Sequence, residues 1–181
     1  MNPDTASHLG FLTVIQEPGG FLGGYLVTNL WGRPLEFRLS TAVQPNRVQQ
    51  ILYGPTLDAY VAAELIGKTL VEKTNARAHL VLTDHCTMLE LRRAIEIPVV
   101  WVAPPSDPMA LALASAGLSM TEAAGDRGPI VAHPDFPDDV QIVKSIWARV
   151  GAGLDAAEPF SRIREAVHEA RKMGVTHRAA G

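Results

Sequence analysis

The apolar residues of this chain change their spacing within the first hundred positions, and each change marks a change of secondary structure. Phe11-Leu12-Thr13-Val14-Ile15 is a short β-rich run that stops at the turn signal Pro18-Gly19-Gly20. Tyr25-Leu26-Val27-Thr28 predicts a second strand, and Asn29-Leu30-Trp31-Gly32 the tight connection that leaves it. From Arg33 to Ser40 the pattern alternates, with Leu35, Phe37 and Leu39 on one face and Glu36, Arg38 and Ser40 on the other. Period two over that length predicts a strand with one buried face. Pro34 has no backbone N–H to give to a ladder, so an edge position or the end of the ladder is expected there. The three together predict an antiparallel meander.

Beyond Pro45 the period lengthens. One helical turn is expected over Gln49–Tyr53, broken at Gly54-Pro55, and then a long helix from a cap at Thr56 to about Thr74. Projected at ~100° per residue, Leu57, Tyr60, Val61, Glu64, Lys68 and Val71 fall on one side and Ala59, Ala62, Ala63, Ile66 and Leu70 on the other. Such a helix is expected to be covered on both sides. Glu64, on an apolar side, is expected to pair with Lys68 one turn on. His79–Leu82 predicts a buried strand, Thr87-Met88-Leu89-Glu90 the capping box of a helix ending near Glu96, and Pro98–Val102 a second apolar strand. Strand, helix, strand in so short a span implies a right-handed parallel crossover.

The rest is looser. A helix is expected over Met109–Gly117, a mobile polar segment over Glu122–Pro129 and a short strand over Gly128–Ala132. Further helices are expected from Asp138 to Val150 and from Asp155 or Pro159 to the glycine stop at Gly174. Gly19-Gly20 and Gly23-Gly24 lack the strand-to-helix context of a phosphate cradle and read as hairpin or bulge glycines. The architecture predicted is one α/β domain spanning 1–181. It has a mixed sheet of about five strands, a core from about 11 to 150 and a helical C-terminal extension over about 155–174.

Composition narrows the class. Apolar residues make up 47% and charged residues 19%, a globular balance rather than a disordered one. A net charge of −3 leaves no general field for holding a phosphate backbone, so nucleic acid as a partner needs a local basic patch. Cys86 is the only cysteine, which excludes an intramolecular disulfide and a cage of several thiolates. Met1–Gly10 lacks a basic segment followed by an apolar run, and no stretch approaches ~18 apolar residues. The expectation is a cytoplasmic protein that does not enter a membrane.

Three places carry candidate chemistry. Asp84-His85-Cys86 follows a buried strand, where a carboxylate, an imidazole and a thiol can hold a metal, activate a nucleophile or line a small-molecule pocket with Pro104. The plainer reading makes Asp84 a helix cap and Cys86 a small buried residue. Glu64 either meets Lys68 or points across the sheet to share a cation with Asp84. His133-Pro134-Asp135-Phe136-Pro137-Asp138-Asp139 groups three carboxylates and a histidine where simple helix capping also wants them. Trp31, at the tip of a predicted hairpin, is an aromatic ring that either meets a partner or folds back on the chain's own core.

Three antiparallel strands, a long helix and a strand–helix–strand unit follow the order of the ribonuclease H-like superfamily, which this chain resembles over about Phe11 to Val102. The resemblance implies that fold and, in active members, two metal ions held by acidic residues for phosphodiester cleavage. Glu64 takes the helix place, Asp84 the place after the fourth strand, and Asp138 or Asp139 the late one. Phe11–Gln16 carries no carboxylate for the first strand, and Glu17 lies at the turn. Two functions follow. The first is a non-enzymatic protein-interaction or scaffold module without a cofactor, using Trp31, His85 and Cys86 toward a protein partner or a second copy. The alternative is a magnesium- or manganese-dependent phosphodiester hydrolase or nuclease using Asp84, Glu64 and Asp138.

Overall fold

Alternating strand residues and longer-period helical ones build one continuous sheet with helices on both faces in the computed structural model, which describes residues 7–120, 129–151 and 153–174. Strands β1 (His8–Glu17) and β2 (Gly20–Asn29) pair antiparallel along their whole length across the turn at Pro18-Gly19. Strand β3 (Pro34–Leu39) pairs antiparallel with β2 and forms one edge, as Pro34 requires. Strand β4 (Leu80–Thr83) lies parallel to β1, and β5 (Val99–Val102) parallel to β4. The order of these five is the one the resemblance implies.

Two further strands, β6 (Ser119–Met120) and β7 (Ile130–Ala132), extend the sheet antiparallel beyond β5. The full order is β3-β2-β1-β4-β5-β7-β6; β7 falls within the short strand expected over Gly128–Ala132, and β6 is the strand the sequence did not suggest. Ser119-Met120 is too short to display an alternation, which is why its sequence is silent. Most of the polar segment 122–129 lies outside the described residues.

One face of the sheet carries Leu9, Phe11, Leu26, Leu82 and Val100 and is covered by α5 (Asp139–Trp147) and α6 (Glu158–Lys172). The other carries Leu12, Val14, Val27, Val81 and Val99 and is covered by the helical run after Gly54. Helix α6 is therefore no appended extension. Phe160, Ile163 and Val167 are buried against β1 and β2, and Phe160 meets Phe11 edge to face at 5.7 Å. Gly23 and Gly24 sit in the strand interior, not in a hairpin or bulge, because helices crowd both faces there. A Cβ on Gly23 would lie 2.1 Å from Ile66 Cγ2, and one on Gly24 2.3 Å from Ile163 Cγ2.

The long helix departs from its projection. Helix α1 (Arg47–Tyr53) is closed by a capping box between Asn46 and Gln49. The central run comprises α2 (Leu57–Ala59), a π-helical stretch Tyr60–Gly67 and α3 (Lys68–Lys73). Thr56 does not cap it; its hydroxyl donates to the Tyr53 carbonyl. The wider π turns bring Val61, Ala62, Ala63, Ile66, Gly67 and Leu70 onto one buried side. That rotates Glu64 into solvent, and Lys68 pairs with Glu72, 3.8 Å away, rather than with Glu64. A single broad face replaces the two expected.

The crossover between β4 and β5 is a 3-10 helix, Cys86–Arg93, not the α-helix a capping box predicts, and no side chain caps it. Its rise of ~2.0 Å per residue lets eight residues return the length of the strand. Helix α4 (Pro108–Ser115) is capped by Asp107, and α6 ends before Gly174, whose φ is 73°.

Candidate functional site

The carboxyl end of β4 places Asp84 beside β1. Register pairs Leu12 with Thr83, so Thr13 and Asp84 are next-neighbours, and strand alternation turns both toward the face that α6 covers. There Arg164 of α6 donates to Asp84 Oδ2. Asp84 Oδ1 and the Thr13 hydroxyl oxygen are buried without a hydrogen-bond partner among the described residues. The near polar neighbour of Oδ1 is His85 Nε2 at 3.7 Å. Asp84 does not cap the following turn: the His85 amide donates to the Thr83 hydroxyl instead.

His85 and Cys86 turn away from that face. With Val14, Gln16, Phe21 and Asp58 they line a recess of about 210 Å³ between the ends of β1 and β4 and the start of the central helix; Pro104 is not among its walls. His85 is exposed and Cys86 half-buried. The tripeptide, which follows the last residue of β4, thus divides: Asp84 meets α6, and His85 and Cys86 line the recess.

Glu64 and Asp138 do not approach Asp84. Glu64 is exposed on the central helix, on the face opposite α6. Asp138 is exposed at the start of α5. That start lies at the other end of the sheet, because β7 runs antiparallel to β5 and delivers His133 and the following turn to the amino end of β5.

The same end holds a buried, multiply bonded ion pair. Arg92 donates to Asp139 Oδ2 at 2.6 Å and to Oδ1 at 3.3 Å, donates to the Ile95 carbonyl at 3.0 Å, and lies 4.2 Å from the centre of the Phe136 ring. Buried His133 accepts the Asp135 amide on Nδ1 at 3.0 Å, which puts its proton on Nε2, 3.6 Å from Glu90. Asp139 is a structural tether between the crossover and α5.

The residues do not fit a two-metal centre. β1 carries no carboxylate before Glu17 at its end, a guanidinium already faces Asp84, and Glu64 and Asp138 lie on another face and at another end. Among the described residues no group of three or more His, Cys, Asp or Glu is placed to hold a metal ion. No described helix is long and apolar enough to cross a membrane.

Two apolar features are exposed on the surface away from these residues. Trp31 is 75% exposed at the β2–β3 hairpin, with one edge of its ring near Gly151. Helix α1 buries none of its residues, and Val48, Ile51 and Leu52 are 63%, 65% and 77% exposed. Sequence periodicity over seven residues was too short to tell such a stripe from a core-facing turn.

No protein-family model and no curated protein matches this chain. Among solved structures it is similar to endonuclease V of Bacillus subtilis, at 13% identity over 57% of this chain and 47% of that one, with a TM-score of 0.39. It is also similar to a protein of unknown function from Archaeoglobus fulgidus DSM 4304, at 12% identity over 81% of this chain and 99% of that one, with a TM-score of 0.43. A third is the Argonaute of Marinitoga piezophila in complex with a guide RNA, at 12% identity over 55% of this chain and 16% of that one, with a TM-score of 0.31. The match spans less than half of the endonuclease V chain.

Proposed function

We propose that this chain is a non-enzymatic interaction module that pairs with a second copy of itself through α1. The observation that supports it is a capped helix with three large aliphatic side chains in solvent and none in the core. A seven-residue helix is not stable by itself in water, so a covering surface repays its apolar stripe. Val48, Ile51 and Leu52 are spaced i, i+3 and i+4, the geometry of a helix–helix seam. The helix carries Arg47 at its start and no carboxylate, so two antiparallel copies meet without opposed like charges and without a charge code for a different partner.

Three side chains fall short of the ~800 Å² per partner of a standard interface, so the association is weak and reversible. Sedimentation velocity at about 100 μM, a concentration that reports dissociation constants in the micromolar range, is expected to show a dimer. Leu52→Asp is expected to give a monomer with an unchanged melting temperature. A wild-type monomer throughout, or a dimer indifferent to Leu52→Asp, rejects the proposal. Phosphodiester hydrolysis at Asp84, Glu64 and Asp138 finds no support in their separation.

A further inference from the structure

Basic side chains gather at the amino ends of β1 and β4, at the end of these strands away from the Asp84 loop. His8 opens β1, Arg77 and His79 lie in the segment that leads into β4, and Arg149 follows α5. Backbone groups fix both imidazoles. His79 Nδ1 accepts the His8 amide at 3.1 Å, so neutral His79 carries its proton on Nε2. His8 Nδ1 lies 3.2 Å from the Arg77 carbonyl, which can only accept. That ring therefore carries its proton on Nδ1 and can gain a second on Nε2 without losing the bond. The two rings meet edge to face, 5.8 Å apart. Arg149 joins the group by donating to the hydroxyl of Ser7, the residue before His8, at 3.0 Å.

Arg77, His79 and Arg149 are exposed, and Arg77 makes no ion pair among the described residues. In a chain of net charge −3 this end is a local reversal of sign, built by three separate segments. Burial, then His8, Arg77 and Arg149, hold the His79 pKa below its usual value, and no carboxylate is among the groups acting on it. Glu72 and Glu96 share the neighbouring cleft with Arg77, so a long polyanion running that way meets carboxylates. A compact anion does not.

We propose that this patch binds a compact phosphate-bearing anion, a mono- or diphosphate group, with His79 Nε2–H, Arg77 and Arg149 donating to its oxygens. A guanidinium matches phosphate oxygens with its planar fork, and imidazoles already held by the backbone lose little freedom on binding. Helix α1 leaves the sheet at the other end, after Val43 bridges Phe21, so the site does not rest on pairing through α1.

Sodium pyrophosphate titrated into the full-length protein at pH 7 and constant ionic strength, followed by backbone amide NMR, tests this. Saturable shifts are expected at residues 7–9, 77–80 and 148–150. Arg77→Gln is expected to weaken binding about tenfold, the worth of one charge-assisted hydrogen bond. His79→Asn keeps an acceptor for the His8 amide but loses Nε2–H, and is expected to weaken it about fivefold. Lys172→Gln removes a charge near the other end of β1, where Arg171 meets Glu17, and is expected to change nothing. A short oligothymidylate is expected to bind no more tightly than pyrophosphate. No saturable shift by about 10 mM pyrophosphate, binding unmoved by Arg77→Gln and His79→Asn, or equal weakening by Arg77→Gln and Lys172→Gln overturns the proposal. Tighter binding of the oligonucleotide through the same amides overturns it too.

Discussion

Arg92→Met is the substitution whose cost can be worked out most fully. It removes two hydrogen bonds to Asp139, one to the Ile95 carbonyl, and a cation stacked on Phe136. The side chains of Arg92 and Asp139 are 16% and 4% exposed, so water cannot replace the guanidinium at the carboxylate. Stranding one charge of a buried pair costs about 3–5 kcal/mol. Asp139 sits in the first turn of α5, where the helix dipole returns roughly 0.5 kcal/mol, so the lower end applies, about 3 kcal/mol. For a chain of this size that is a fall in melting temperature of roughly 6–12 °C. Asp139→Leu is expected to cost a similar amount. The pair Arg92→Met with Asp139→Leu strands nothing, so its loss is expected to be smaller than that of either single change and well below their sum. Urea unfolding of the four proteins measures the cycle. A single change costing under about 1 kcal/mol, or additive losses, refutes the buried tether.

Two further perturbations probe the same structure elsewhere. Gly23→Ala is expected to destabilise by about 1–3 kcal/mol, since its Cβ would press on Ile66 and Leu70, while Gly19→Ala meets nothing within 4 Å and serves as a near-neutral control; equal effects in thermal unfolding reject the close approach. His79 accepts the His8 amide on Nδ1, and burial, then His8, Arg77 and Arg149, hold its pKa below the ordinary 6.5. The unfolded imidazole therefore takes a proton first as pH falls. Stability drops below 6.5 until the folded imidazole also protonates, and His79→Asn is expected to flatten that limb of a melting-temperature series; an unchanged slope refutes it.

The parts of the fold legible in the sequence are those set by local period. The meander, the edge position of β3, the crossover and the two late helices follow from alternation, Pro34, apolar runs and terminal glycine. The π-helical stretch was not legible, because an apolar residue at nearly every position of 60–67 satisfies several periods at once. Nor was the 3-10 crossover, where Thr87-Met88-Leu89-Glu90 has the composition of a capping box and the span to be covered decides otherwise. Candidate residues were found by type, but their partners were not. Arg164 lies 80 positions from Asp84, and Arg92 lies 47 from Asp139. Nothing in either neighbourhood names the other.

The place of α6 at the end of the described chain has a consequence for biogenesis. While the chain is being made, β1, β2 and β4 emerge long before Phe160, Ile163 and Val167, so Leu9, Phe11 and Leu26 wait without their cover. Nascent chains stalled before residue 158 therefore present an apolar sheet to chaperones, and emergence of α6 is the step that covers it.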